Sequence, residues 1–469
     1  MASTYLQRTG ISAGNRRTWT FSAWIKRTGL GEQRIFNHEQ SSGTSQISVL
    51  KFDSNDNLLF ADNTGSGNSI NLNASLRKFR DTNAWYHIVL RVNTTDATAN
   101  DRVRIYLNGL DMRTNPDGHG YSSYTQPSQD YDTFANQSGN KITVGAWVNS
   151  TTQYFDGVMS HVHFCDGYSY APTEFGETDA TTGEWKIKTS PSVSYGTNGF
   201  FWLKDSIATT DHSPNSNTFT VGGGTLTKTE DCPSDVFCTF NSLLHDSTGD
   251  GRLTNGNTTI SCVDTTWISR FGTIGFTSGK YYWELKVEAL NASNGYAGAG
   301  IQCLDNAFGS GLGSGGNTGT QFTSNTASAG FEIDYRGGSN NNNMSGGSNL
   351  GDTGIDYSNG DVLGFAVDMD NRALYMHKNG TYITVGGNVG VPTSGASKTG
   401  AITIPASVTT CSPAAAIYGA NAIFNYNFGN GYFKTTAVSS AGTNASGIGI
   451  FEYDVPTGYT ALSTKGLNE

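Results

Sequence analysis

The sequence predicts an all-β protein made of two antiparallel β-sandwiches joined by a short irregular bridge. Three observations predict the all-β class. Apolar and polar residues alternate over many short runs; aromatics reach 12% while charged residues are only 14%; and glycine is very frequent, at 59 of 469 residues. Alternation with period two is the signature of a half-buried strand. Gly, Asn, Ser and Thr supply the turns between strands. Disordered chains are charge-rich and aromatic-poor, the reverse of this composition. The length exceeds one ordinary core, so more than one domain is expected.

The first domain is read over residues 1–175. There Phe21, Ala23 and Ile25 share one strand face, and Val103, Ile105 and Leu107 alternate with Arg104 and Tyr106. Asn108-Gly109 follows at once, a dipeptide that tolerates the positive φ angles of a tight hairpin. Residues 176–247 read as a bridge with short strands such as Phe200-Phe201-Trp202-Leu203, packed between its neighbours. The second domain spans 248–432. Tyr281, Trp283, Leu285 and Val287 line one strand face, with Glu284, Lys286 and Glu288 on the other. Leu363, Phe365, Val367 and Met369 make another alternating run, and Asn379-Gly380 a second hairpin signal. Residues 433–469 read as a C-terminal arm, either a tail strand or an attachment segment. Gly309–Gly319 and Gly337–Gly347, the latter holding Asn340-Asn341-Asn342-Asn343, are expected to project as loops.

Charge narrows the function classes. The net charge is −10 with no basic stripe, which argues against a nucleic-acid partner and against an anionic membrane surface. No apolar run approaches the roughly 20 residues of a membrane helix. Met1-Ala2-Ser3-Thr4-Tyr5 lacks a charged region before an apolar stretch, so synthesis in the cytosol without classical export is expected. The six cysteines form no Cys-x-x-Cys pair and are expected reduced and mostly buried.

Longer motifs then become legible. Trp19-Thr20-Phe21-Ser22-Ala23-Trp24-Ile25-Lys26, Ala84-Trp85-Tyr86-His87-Ile88-Val89-Leu90, Ile105-Tyr106-Leu107-Asn108-Gly109, Ile142-Thr143-Val144-Gly145 and Phe155-Asp156-Gly157-Val158 together resemble a laminin-G-like, concanavalin A-type jelly roll. Ser278-Gly279-Lys280-Tyr281-Tyr282-Trp283-Glu284-Leu285, Gly360-Asp361-Val362-Leu363-Gly364-Phe365, Leu374-Tyr375-Met376-His377-Lys378-Asn379-Gly380 and Phe424-Asn425-Tyr426-Asn427-Phe428-Gly429 resemble a SPRY domain. The two in this order, with Pro456-Thr457-Gly458-Tyr459 after them, are similar to virion proteins of tailed bacteriophages, especially marine ones. That resemblance implies a non-enzymatic structural or adhesin protein of the particle, made in the host cytoplasm and released by lysis. Its implied partners are other virion proteins of capsid or tail and host-surface polysaccharide, in a homo-oligomeric or multi-copy assembly. Phage fibres usually begin with an anchor segment, whereas here the jelly roll starts near the N-terminus. Docking is then expected through the domains or the C-terminal arm.

Catalytic residues are not expected. Glycoside hydrolysis needs two carboxylates across a cleft. The nearest string, Glu332-Ile333-Asp334-Tyr335-Arg336-Gly337, ends in Gly and lies in the SPRY-like block. Gly10-Ile11-Ser12-Ala13-Gly14 spells a nucleophile elbow but lies in an all-β block, where the strand-to-helix turn it needs is missing. No cofactor is expected. Calcium is plausible for a laminin-G-like domain, with Asp53, Asn55 and Asn57 as candidate ligands. That string lacks the central Gly and carries Thr64 where a calcium loop has Glu, which favours a turn. Asp246–Asn257 keeps a central Gly251 and also lacks the final Glu. His161 and His163 could share a strand face, with no third ligand assignable.

The aromatic insertion Pro116–Asn136 is the candidate glycan- or partner-contact loop, through His119, Tyr121, Tyr124, Tyr131 and Phe134. Sugar rings stack on aromatic faces while neighbouring amides bond hydroxyls; protein interfaces favour the same residues. Expected roles are therefore a tail-associated adhesin, a capsid decoration, a particle-bound depolymerase, or a protein-interaction module of SPRY type.

Overall fold

The computed structural model describes residues 3–468 except 66, 75, 115–119, 151, 205–209, 247–250, 263–266, 291–295, 304–327, 335–339, 346–347, 353–356 and 419–421. The chain forms two compact units, Met1–Lys228 and Thr229–Glu469. Among the described residues, regular structure is strand throughout apart from short 3-10 turns. None of their helices is long and apolar enough to cross a membrane.

The first unit is a sandwich of two antiparallel sheets. The eight-stranded sheet runs, in spatial order, Ser123–Thr125, Asn68–Asn73, Leu58–Asn63, Ile47–Phe52, Gln33–Glu39, Lys141–Val144, Tyr5–Thr9 and Thr220–Gly222. The six-stranded sheet runs Phe200–Trp202, Gly157–Asp166, Thr18–Arg27, Trp85–Asn93, Val103–Leu107 and Leu110–Asp111. Their inner faces meet in one core, in which Trp19, Phe21 and Leu90 pack with Phe36, Leu50 and Phe60. Phe21 stacks on Phe36 across it, ring centroids 4.3 Å apart. The hairpin predicted at Asn108-Gly109 is present, with φ of 48° and 82° at its two central residues.

The outer face of the six-stranded sheet is sealed. Val89, Tyr106 and Cys165 on that face pack with Phe175, Tyr195 and Phe201 in a second apolar cluster. The hairpin Gly176–Thr178/Trp185–Ile187 lays Trp185 against His87. Gly109 and Gly176 make room for it, since a Cβ on either would lie 2.6 Å from the indole.

The second unit is also a two-sheet antiparallel sandwich around its own core. Trp283, Leu285, Phe365 and Phe424 of one sheet pack with Ile268, Ala299, Ile301 and Ile417 of the other. Trp283 stacks on Phe365 at 5.7 Å. The second predicted hairpin, Asn379-Gly380, also has positive φ at both residues, 49° and 83°.

Two expectations are corrected and one open alternative is decided. Residues 176–247 are not an independent bridge: Phe200–Trp202 and Thr220–Gly222 complete the sheets of the first unit, and Phe240–Asp246 pairs with Trp267–Gly272 in the second. The short apolar runs looked too small for a core because each adds one strand to a core built elsewhere. Of the two readings of the C-terminal arm, the tail strand is the one found. Thr460–Ala461 adds in parallel beside Tyr281–Tyr282, and Phe451, Val455 and Tyr459 are buried against the outer face of that sheet. The asparagine run is a strand, Asn340–Ser345, paired with Ser328–Asp334. Backbone ladder bonds do not depend on side-chain polarity, so composition misjudged it. Gly309–Gly319 lies outside the described residues.

Candidate functional site

With one outer face of the first sandwich sealed, the outer face of the eight-stranded sheet becomes the candidate surface. Leu50 and Phe52 point into the core, so Val49 and Lys51 point outward. Strand register then aligns outward side chains into rows. One row runs Thr125, Asn71, Ala61, Val49, Asn37, Thr143, Gln7 and Thr220. At one strand per ~4.8 Å this row is roughly 30 Å long. A second row runs Ser123, Asn73, Leu59, Lys51 and Arg34. The result is a short apolar strip of Val49 and Ala61, both buried, and half-buried Leu59, bordered by amides at one end and by charge at the other.

The charged end is shaped by the loop after Lys141–Val144. Glu39 holds it: one carboxylate oxygen accepts from Thr143 Oγ1 at 2.7 Å and Val148 N at 3.3 Å, the other from Asn149 N at 3.1 Å. Asn37 Nδ2 donates to Ala146 O at 2.6 Å. Arg34 Nε donates to Gln153 Oε1 at 2.5 Å, and its guanidinium lies over the Trp147 ring, 4.3 Å from the centroid. Burial pushes Arg34 down to about 10, against the pull of Glu39 and then Glu32. Glu32 is ion-paired with Lys51. Trp147 is half-buried. An aromatic ring beside an apolar strip bordered by amides is a surface that can stack a sugar ring and bond its hydroxyls.

The predicted contact loop is distributed differently. Phe134 is completely buried and presents no face to a ligand, which corrects its assignment. Its N–H instead donates to Asp62 Oδ1 at 2.9 Å, and Tyr131 OH donates to Asp62 Oδ2 at 2.8 Å. The buried Asp62 carboxylate thus ties the insertion to its own sheet. Tyr121 and Tyr124 pack against the core, their rings 5.1 Å apart, and Tyr124 OH donates to Asn100 O at 3.1 Å. His119 lies outside the described residues.

Asp53, Asn55 and Asn57 do come together, as a turn. Asp53 Oδ1 accepts the backbone N–H of Asn55 at 2.8 Å and of Asn57 at 3.0 Å; Oδ2 accepts from Asn57 Nδ2 at 3.0 Å. Burial raises the Asp53 carboxyl, but these bonds outweigh it and leave its pKa lowered. Among the described residues, no group of three or more His, Cys, Asp or Glu is placed to hold a metal ion. Asp246 and Gly251 belong to different strands, Phe240–Asp246 and Gly251–Thr254. His161 sits in a bulge with φ of 48°, and His163 is buried, its Nδ1 3.0 Å from Tyr195 OH. Ser12 of the apparent nucleophile elbow offers its carbonyl to Asn198 Nδ2 at 2.9 Å. Asn198 N–H and Asn15 N–H in turn bond the Asp166 carboxylate, so this segment is a structural staple.

Residues 2–169 match the family model of the concanavalin A-like lectin/glucanase superfamily, of laminin-G type. No curated protein matches in sequence. Among solved structures, the SPRY domain of human HERC1 is similar at 15% identity and a TM-score of 0.27, over 40% of this chain and 96% of that one. The TRIM65 PSpry domain is similar at 10% identity and 0.27, over 40% and 91%. A heptameric SAP-like pentraxin from Limulus polyphemus is similar at 13% identity and 0.29, over 48% and 90%.

Proposed function

We propose that this chain is a non-enzymatic glycan-binding protein whose contact surface is the outer face of the eight-stranded sheet. We further propose that it serves on a virion as a tail-associated adhesin. The observation that carries the glycan reading is the arrangement on that face: the apolar strip Val49–Ala61–Leu59, the Trp147 loop at one end and Asn71 and Asn73 at the other. The likeness of residues 2–169 to lectins and glucanases points the same way. Binding without hydrolysis is favoured because the carboxylates of this face are committed, Glu39 to the loop it seats and Glu32 to Lys51. The adhesin role rests on the similarity of the two-sandwich order to tailed-phage virion proteins.

The full chain should bind a subset of glycans on an array of bacterial surface polysaccharides. Trp147→Ala should weaken that binding at least tenfold while releasing no reducing sugar before or after the change. Retained binding in Trp147→Ala would move the site elsewhere, and sugar release would restore a depolymerase. Image reconstruction of the particle separates the virion roles. A distal tail position is expected; symmetric contacts with the shell would mean decoration, and absence from particles would leave a protein-interaction module.

A further inference from the structure

The unmet hydrogen-bonding capacity of this face is divided by sign. Arg34 and Trp147 form one stacked pair, and each carries a buried donor with no acceptor, Nη1 of Arg34 and Nε1 of Trp147. Arg34 is only 4% exposed. Its nearest carboxylates do not supply the acceptor: Glu39 is filled by the loop it seats, and Glu32 is held by Lys51. A buried guanidinium with an unfilled donor is a costly arrangement, and an anionic acceptor relieves it best. Along the same face the imbalance reverses. Oδ1 of Asn37, Asn71 and Asn73 are buried acceptors with no donor. Hydroxyl groups would fill them.

We propose that the face takes an acidic polysaccharide, seating a uronate carboxylate on Arg34 and Trp147 and sugar hydroxyls on Asn71 and Asn73. This rests on the glycan reading above and names the ligand class within it. A planar carboxylate matches the guanidinium fork, which a neutral sugar does not. The unfilled donors and the Asn71 and Asn73 acceptors are all shielded from solvent, so the carboxylate enters as Trp147 shifts and the hydroxyls as the two amides turn outward. Binding therefore changes the environment of that indole.

The test titrates the full chain, in buffer containing a metal chelator, with oligogalacturonate, oligoalginate and the same oligosaccharides after reduction of their carboxyls to alcohols. At least one acidic form should bind ten times tighter or more than its reduced form, with a change in tryptophan fluorescence. Arg34→Lys keeps the charge and loses the fork, and should cost at least tenfold on the acidic form alone. Trp147→Phe keeps the stack and loses the N–H, and should cost about threefold; with the reduced sugars it decides the matter if Arg34→Lys does not fold. Equal binding of acidic and reduced forms, or binding only of neutral glycans, overturns the acidic class and leaves the glycan reading standing. Binding of no saccharide, acidic or neutral, overturns both.

Discussion

Acidification from pH 7 toward 4.5 should unfold the first unit through its buried histidines. His87 stacks between Trp24, at 4.8 Å, and Trp185, at 5.9 Å. Trp185 Nε1 donates to its Nδ1 at 2.9 Å, so Nε2 carries the hydrogen and donates to Ser22 Oγ at 2.9 Å. Protonation would place a second N–H against the indole donor. His38 accepts from Asn136 N–H at 3.2 Å within a ring of Trp19, Phe36 and Phe164. Burial pushes both imidazoles down to about 3. In the unfolded chain each titrates near 6.5. The unfolded state then binds more protons between those values, so the stability these groups contribute is present above 6.5 and is lost as pH falls toward 3. Each costs about 2 kcal/mol at pH 5. His163, also lowered by burial and by its histidine neighbours, adds in the same direction. The sum is a large share of the roughly 5–15 kcal/mol that holds a domain.

Burial raises the carboxyls of Asp62, Asp156 and Asp166, whose proton uptake in the folded state offsets part of this loss. A difference measurement removes that offset. His87→Gln keeps hydrogen-bonding capacity and cannot charge. Between pH 7 and 5 its stability should fall by about 2 kcal/mol less than that of the parent. Urea unfolding followed by tryptophan fluorescence, with hydrogen exchange assigning the transition to residues 1–228, checks it. Parallel pH profiles would contradict the assignment.

Glu284→Ala should detach the C-terminal segment from the second unit. This buried carboxylate accepts from Tyr282 OH at 3.1 Å and Tyr453 N–H at 2.8 Å on one oxygen, and from Glu452 N–H at 2.9 Å and Asn427 Nδ2 at 3.2 Å on the other. Tyr282 OH also meets His377 Nε2 at 2.7 Å. Gly364 clears the space, since a Cβ there would lie 1.9 Å from that nitrogen. Removing the carboxylate strands several donors at about 1–3 kcal/mol each, so undocking is the cheaper response, at a cost of roughly 3 kcal/mol. The variant should expose residues 438–459 to protease and to hydrogen exchange while the sandwich persists. Unchanged protection there would contradict the role.

Burial pushes Glu284 up to about 7 against the pull of its hydrogen bonds, whereas His377 is lowered by burial to about 4. The carboxyl's stabilising effect is full below about 4.5 and fades as pH rises through 7. The imidazole's is full above 6.5 and fades as pH falls through 4. After correction for intrinsic exchange, the parent's segment should be better protected at pH 6 than at pH 8, and Glu284→Gln should lose that slope.

The strands and both Asn-Gly hairpins were legible because period-two alternation and positive φ are local properties. The candidate face was not. Asn37 and Thr143 stand side by side on it, although 106 residues separate them, and only strand register brings them together. The sequence marks Arg34 and Asn71 merely as polar residues within strands. Glu284 was readable as a member of a polar strand face. Its burial was not, because the segment that covers it lies 168 residues further on. The aromatic insertion misled for a related reason. Its tyrosines and Phe134 have the composition of a contact loop, but Asp62, on a distant strand, turns Tyr131 and the Phe134 backbone inward. A buried carboxylate partner cannot be seen from the loop's own residues.

The most direct test of the glycan face is hydrogen exchange of the full chain with and without the tightest-binding oligosaccharide. Protection is expected in Gln33–Glu39, Ile47–Phe52, Leu58–Asn63, Asn68–Asn73 and the loop 146–153. Protection confined to residues 120–134 or to the second unit, with none on this sheet, would contradict it.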